Sequence, residues 1–213
     1  MKKLMYFFLI ALFITSCTKS NDAPPNELGG DTNLPMNDIG NTYNASIYIN
    51  DEYVNLNESV VITNKEDGEV IVRIQADLPD SPAVNLISSE FIKNGRIDGE
   101  FRFKNTSEGV LDYFNKENKP FIIAKYDAKV GDKYVIDLAG GRKVTRTVTK
   151  KSSSDDFEWG WYYLKTITVE QDSDIPGIAK IIYNVNHKFG WVSVEVVMED
   201  GSCIFLLIFS SKY

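Results

Sequence analysis

The chain has 213 residues, 43% of them hydrophobic and 25% charged, with a formal net charge of −7 at pH 7. That is length for one large or two small domains, and the acidic balance, with no basic stripe, excludes nucleic acid as a favoured partner on electrostatic grounds. One histidine and two cysteines are too few for a structural zinc site, which takes four nitrogen or sulfur ligands.

The chain opens with Lys2 and Lys3, followed by an unbroken apolar run of eleven residues, Leu4 to Ile14. A spanning helix needs about 20 apolar residues, so this run is too short to cross a bilayer; it has the length of a signal-peptide core. Its exit reads Ile14-Thr15-Ser16-Cys17. An aliphatic residue and two small residues before a cysteine resembles the lipobox of bacterial lipoproteins, here of Bacteroidetes type. The resemblance implies cleavage after Ser16, a diacylglyceryl thioether on Cys17 and acylation (palmitate or similar) of the new amine. One acyl chain holds a protein only reversibly, at about 0.8 kcal/mol per buried CH₂, whereas two or three anchor it durably. Thr18 rather than Asp follows the cysteine, which in the enteric-type sorting rule looks like export to the outer membrane, with the periplasmic or surface face left open. Loss of two lysines with the signal takes the net charge from −7 to −9.

Residues 17–41 are dominated by Pro, Gly, Asn and Asp, and their few apolar residues have no period. Such a segment buries too little apolar surface to offset its ordering entropy, so a flexible tether is expected between the lipid and the folded part. From residue 42 the pattern turns to period two. Ala45–Ile49 and Tyr53–Leu56 flank Asn50-Asp51-Glu52, a hairpin signal. Ser59–Thr63 follows, then a turn ending in Asp67-Gly68. Glu69–Ala76 places Val70, Val72, Ile74 and Ala76 on one face. Pro79 and Pro82 make a loop, and Phe91-Ile92, Asn94-Gly95 and Phe101–Phe103 suggest a second hairpin. One short helix is predicted after Thr106 or Ser107, with Val110, Leu111 and Phe114 on one side and Pro120 beyond its end.

From Phe121 the chain reads as an up-and-down series: Phe121–Tyr126, Lys133–Leu138, a Gly140-Gly141 turn, Arg142–Lys150, a Ser152–Asp156 loop, a long strand Trp159–Glu170, Ala179–Asn186, Trp191–Met198 and Cys203–Ser210. Closely spaced strands with turn chemistry between them predict an all-β fold, an antiparallel sandwich or a barrel-like meander. The parts 42–118 and 119–213 read as two β-rich segments or as one continuous domain. Several strands are apolar on both faces, which suits a covered central strand or a barrel lumen. Lys129-Val130-Gly131-Asp132-Lys133-Tyr134, followed by Asn186-His187-Lys188-Phe189-Gly190-Trp191-Val192, is similar to a layout found in secreted and lipid-anchored β-proteins often described as lipocalin-like. It covers roughly residues 121–209, and no functional residue carries over from it.

No catalytic constellation emerges. His187 falls in a predicted turn, and no nucleophile elbow accompanies it. Cys203, alone once Cys17 is acylated, sits in an apolar run and reads as a buried, inert thiol. Asp155, Asp156 and Glu158, and then Glu170, Asp172 and Asp174, read as solvated turn acids, and Pro176 spoils the calcium-loop likeness of the second group. The richest feature is aromatic: Trp159, Trp161 and Tyr163 fall on one face of the expected long strand, and Trp191 extends them. Three rings in a row build a core or a platform for sugars and other flat ligands. The expected function is a non-enzymatic, membrane-anchored envelope domain without cofactor or metal, binding an apolar or carbohydrate ligand or a partner protein. A carboxylate-dependent hydrolase and a purely structural component are the alternatives, and the oligomeric state is left open.

Overall fold

The computed structural model describes residues 26–212 except 67, 80–83, 85, 86, 116 and 174. The expected signal peptide, Cys17, the expected tether as far as residue 25, and Asp174 lie outside the described residues.

Sixteen strands are described. They are β1 (Thr42–Ile49), β2 (Glu52–Val54), β3 (Ser59–Glu66), β4 (Glu69–Asp77), β5 (Ile92–Lys93), β6 (Arg96–Thr106), β7 (Gly109–Asp112) and β8 (Phe121–Lys125). Then come β9 (Lys133–Leu138), β10 (Arg142–Lys151), β11 (Phe157–Trp159), β12 (Tyr162–Leu164), β13 (Ile167–Asp172), β14 (Ile178–Asn186), β15 (Gly190–Met198) and β16 (Cys203–Ser210). Twelve of them form one hydrogen-bonded path, β8-β7-β6-β4-β3-β1-β16-β15-β14-β13-β10-β9, with β2 beside β1 and β5 beside β6. The pairings are antiparallel, and β8 and β9 at the two ends of the path face each other, so the sheet curls into a nearly closed barrel. Strands before and after residue 118 share that one sheet through the β1–β16 pairing.

Period-two patterning decides which side faces in. In β4, Val70, Val72 and Ala76 are buried inside, while Arg73 and Gln75 point out and bond Asp98 of β6. The expected hairpins form where the turn residues allow it. Asn50 and Asp51 both adopt positive φ (51° and 66°) between Ile49 and Glu52, the conformation a tight two-residue turn requires.

The predicted helix is absent. Gly109–Asp112 is strand β7, joined to β6 by the two-residue turn Ser107-Glu108, with Thr106 opposite Gly109. The segment is buried on both faces, and the helical spacing of Val110, Leu111 and Phe114 was overridden by that tertiary demand. Gly109 fits the strand because a Cβ there would collide with the Ala124 carbonyl of β8.

The tether is also shorter than composition predicts. Residues 26–41 pack on the barrel as a strap. Leu28 is buried against Leu111 and Ile122 on the outer face of β7 and β8. Asp31 and Ser107 exchange backbone and side-chain hydrogen bonds, and the Asn37 amide donates to the Asn105 carbonyl at 2.9 Å. Asn41 joins the Met36 carbonyl to Ser210 and Ser211 at the end of β16. The polar residues that read as disorder are the strap's hydrogen-bonding partners.

The strap closes one end of the barrel, hereafter the strap end, where the turns at 107–108 and 187–189 and the end of β16 also lie. The opposite end carries the turns at 50–51, 139–141 and 199–202. The seam between β8 and β9 is held by side chains. The Asn26 amide donates to Val135 O of β9 at 2.9 Å and its oxygen accepts from Ile122 N of β8. Lys125 N–H donates to the Tyr134 hydroxyl at 3.0 Å, and Lys119 Nζ reaches Asp137 O.

Candidate functional site

The inside of the barrel is divided. One half is a packed apolar core of Val110, Ile123, Val148, Val169, Ile181, Val185 and Val196. Into its edge projects Arg146 of β10, 2% exposed, whose guanidinium bonds Asp112 of β7 (0% exposed) at 2.7 Å. It also donates to Phe121 O at 2.9 Å and to Gln171 Oε1 at 2.8 Å, and lies over the rings of Phe121 and Tyr183. This cluster was missed in the sequence, although Arg146 falls between Val144 and Val148 on the inward parity of β10. Its geometry is that of a lock across the seam from the inside. Burial pushes the Asp112 carboxyl up, and the Arg146 charge opposes the shift. All three guanidinium nitrogens donate into this closed surround, to Gln171, Phe121 O, Asp112 and the Tyr183 hydroxyl, and two rings cover its plane, so the pair reads as structural.

The other half is aromatic and less closed. Phe101 and Phe103 of β6 face inward beside Val70, Val72 and Ile62. Phe91, from the segment before β5, lies tilted against Phe101 at 4.7 Å. It lies so close to Gly99 that a Cβ there would strike its ring. Phe114 meets Phe101 at 5.7 Å and Trp191 at 5.4 Å, and Trp191 stacks on Phe103 at 5.6 Å. Phe114 is 44% exposed, and Phe91, Phe101 and Trp191 are half-buried. The indole Nε1–H of Trp191 is buried and meets no acceptor among the described residues. At the end opposite the strap, a cavity of about 570 Å³ opens between Ile49, Val54, Leu56 and Leu78, with Asn50 and Glu52 beside them.

The four predicted aromatic site residues are not gathered. A β-bulge explains Trp191: Ser193 pairs with Asn184 and Trp191 with Val185, leaving Val192 as the extra residue. The bulge turns Trp191 inward, away from the face of Ser193 and Glu195 on which strict alternation puts it. The expected long strand from Trp159 is broken into the hairpin β11–β12 and then β13. Its turn is Gly160-Trp161, with Gly160 at φ 61°. Trp159 therefore faces the barrel wall, 7% exposed. Its ring lies against Phe189 and Phe209, and its N–H donates to Ile208 O at 3.0 Å. Trp161 is 97% exposed at the hairpin tip, and Tyr163 lies on the outward face.

The other named residues are placed individually. His187 is exposed in the β14–β15 turn. Cys203 is half-buried rather than buried, because it begins β16 at the barrel rim; partial burial, with Glu195 and Asp51 nearby, pushes its thiol up. Asp156 is paired with Lys150 at 3.0 Å and with Ser152, which holds its carboxyl below the usual range. Glu170 is paired with Lys180 at 2.8 Å. Among the described residues, no group of three His, Cys, Asp or Glu side chains is placed to hold a metal ion. Comparison with protein-family models, with curated proteins and with solved structures found no match to this chain.

Proposed function

We infer that this chain is a lipid-anchored, non-enzymatic binding domain of a bacterial envelope, which takes a small apolar ligand into the open mouth of its barrel. The observation that carries the reading is the inward row Phe91, Phe101, Phe114 and Trp191, whose rings meet one another tilted or edge-on yet stay in reach of solvent. Large apolar side chains on the inward face of a barrel are ordinarily fully covered. Partial exposure there leaves apolar surface open within the barrel, and at the end opposite the strap a cavity of about 570 Å³ gives entry to a small molecule. The buried Trp191 N–H, without an acceptor among the described residues, offers the aromatic row a polar donor, and Asn50 and Glu52 offer polar groups at the mouth.

The anchor rests on Ile14-Thr15-Ser16-Cys17. The strap changes what it implies. Asn26 is fastened to the seam, and Cys17 precedes it by nine residues, a reach of roughly 30 Å at full extension. The domain is thereby held against the membrane at about its own diameter, at less than half the distance a 24-residue spacer would permit.

The test uses a dansylated fatty acid as probe. Saturable fluorescence enhancement is expected, weakened at least tenfold by Leu78→Arg at the mouth and by Phe114→Ala. Trp161→Ala, at the other end, should leave it unchanged. Absence of saturable binding, or binding indifferent to Leu78 and Phe114, would sink the reading.

A further inference from the structure

The hairpin β11–β12 is built to hold aromatic rings in water. Its root is fixed by Trp159, which hydrogen-bonds Ile208 O and stacks on Phe209 at 5.0 Å. Gly160 lies so near that a Cβ there would sit 3.3 Å from the Phe209 ring. From this root the tip carries Trp161, Tyr162 and Tyr163 in succession, all exposed. Folding gains little from these rings, since Trp161 is 97% exposed and Tyr162 and Tyr163 leave 68% and 60% of their area in water, and a contiguous cluster of exposed aromatics marks an interaction site. On the outward face Glu158 stands directly opposite Tyr163, and both are exposed. Directly opposed residues place their Cβ atoms about 5 Å apart, so a carboxylate lies beside a ring face.

We propose that this tip is a second binding site, distinct from the barrel mouth, and that its ligand is a neutral polysaccharide. A ring face attracts the partially positive C–H groups on the apolar side of a pyranose. A carboxylate next to it accepts the hydroxyl hydrogens at the sugar's edge, and the charge-assisted bond is the stronger kind. Charge decides the occupant. Asp155, Asp156 and Glu158 flank the rings against two nearby lysines, Lys150, which is taken up by Asp156, and Lys165, exposed directly after β12, so negative charge is in excess. That surface repels phosphate and other anionic groups, so an anionic polymer or an anionic lipid face is disfavoured. An uncharged polyhydroxyl chain meets both the rings and the free carboxylate Glu158 without that repulsion. The tip lies at the strap end, beside the ends of β10 and β16, so it and the mouth can be occupied together.

The experiment is affinity electrophoresis of the full exported protein, purified in a polyoxyethylene detergent, through gels containing a neutral glucan, a mannan or a xylan. Retardation is expected in at least one gel. Trp161→Ala should weaken it at least tenfold and Glu158→Gln several-fold, while Tyr53→Ala, an exposed ring on β2, leaves it unchanged. Because Trp161 touches little, its variant should melt with the parent protein, which separates loss of binding from loss of fold. Parallel sedimentation with phosphatidylcholine vesicles tests a lipid surface as occupant. No retardation in any of the three gels, retardation that survives Trp161→Ala, or Trp161-dependent pelleting with vesicles in place of polysaccharide would each overturn the proposal.

Discussion

At the scale of single residues, Arg146 and Asp112 show how one buried pair can be structural. Arg146 sits on the inward face of β10, where a hydrophobic residue is the default. It is tolerated because each of its donors is met, by Asp112, Phe121 O, Gln171 and the Tyr183 hydroxyl, and because two aromatic faces cover its plane. Breaking one partner strands the other as an uncompensated buried charge. Asp112→Ala is expected to destabilise the fold by about 3–5 kcal/mol in urea denaturation. The double variant Asp112→Leu/Arg146→Met should recover much of that loss. If Asp112→Ala alone proved neutral, the pair would not be locking the seam.

At the scale of elements, the strap and the hairpin are where composition misleads. A stretch rich in Asn, Asp, Pro and Gly reads as unable to fold, and so it would be alone. Against the barrel, Leu28 has a ready-made apolar site, and Asn37 and Asn41 find backbone carbonyls that need donors. Leu28→Ala is expected to cost about 2–3 kcal/mol of stability in denaturant titration, because the side chain leaves a cavity between Leu111 and Ile122. A free spacer would give no change. The hairpin at 157–164 illustrates the converse. Phe157, Trp159, Trp161 and Tyr163 alternate as a long strand would, and only Gly160 hints at the turn that separates the buried Trp159 from the exposed Trp161.

At the scale of the whole molecule, two expected outcomes concern anchoring and pH. If the proposed lipid anchor holds, Cys17→Ala should release the protein from membranes, read as the fraction remaining with the pellet after a carbonate wash; full retention would refute the proposal. In alkali, Tyr183, Tyr134 and Tyr113 matter together. Burial pushes all three phenols up from the ordinary value of 10.0, and Glu69 adds to the shift at Tyr113. The unfolded chain loses these protons near pH 10, whereas the folded protein keeps them. The stabilisation is therefore fully present below pH 10 and declines as pH rises above it. A phenolate absorbance titration checks this: the late-ionising tyrosines of the native protein should join the main transition in 8 M urea.

How much was legible in the sequence follows from the range of the forces involved. Local patterning sufficed for the all-β class, the Asn50-Asp51 and Asn94-Gly95 turns, the inward set Val70, Val72 and Ala76, and the acidic, histidine-poor surface. These depend on neighbours within a few residues. Tertiary structure decided the rest. A strand partner turned the helical spacing at Val110–Phe114 into β7. A one-residue bulge at Val192 carried Trp191 from the outer face to the inner one. Asp112 and Arg146, 34 residues apart, met only when the sheet curled until β8 faced β9. Apolar periodicity tells a residue that it must be buried. Which surface buries it, and whether a ring remains open to a ligand, depends on contacts between distant segments that exist only once the barrel has closed.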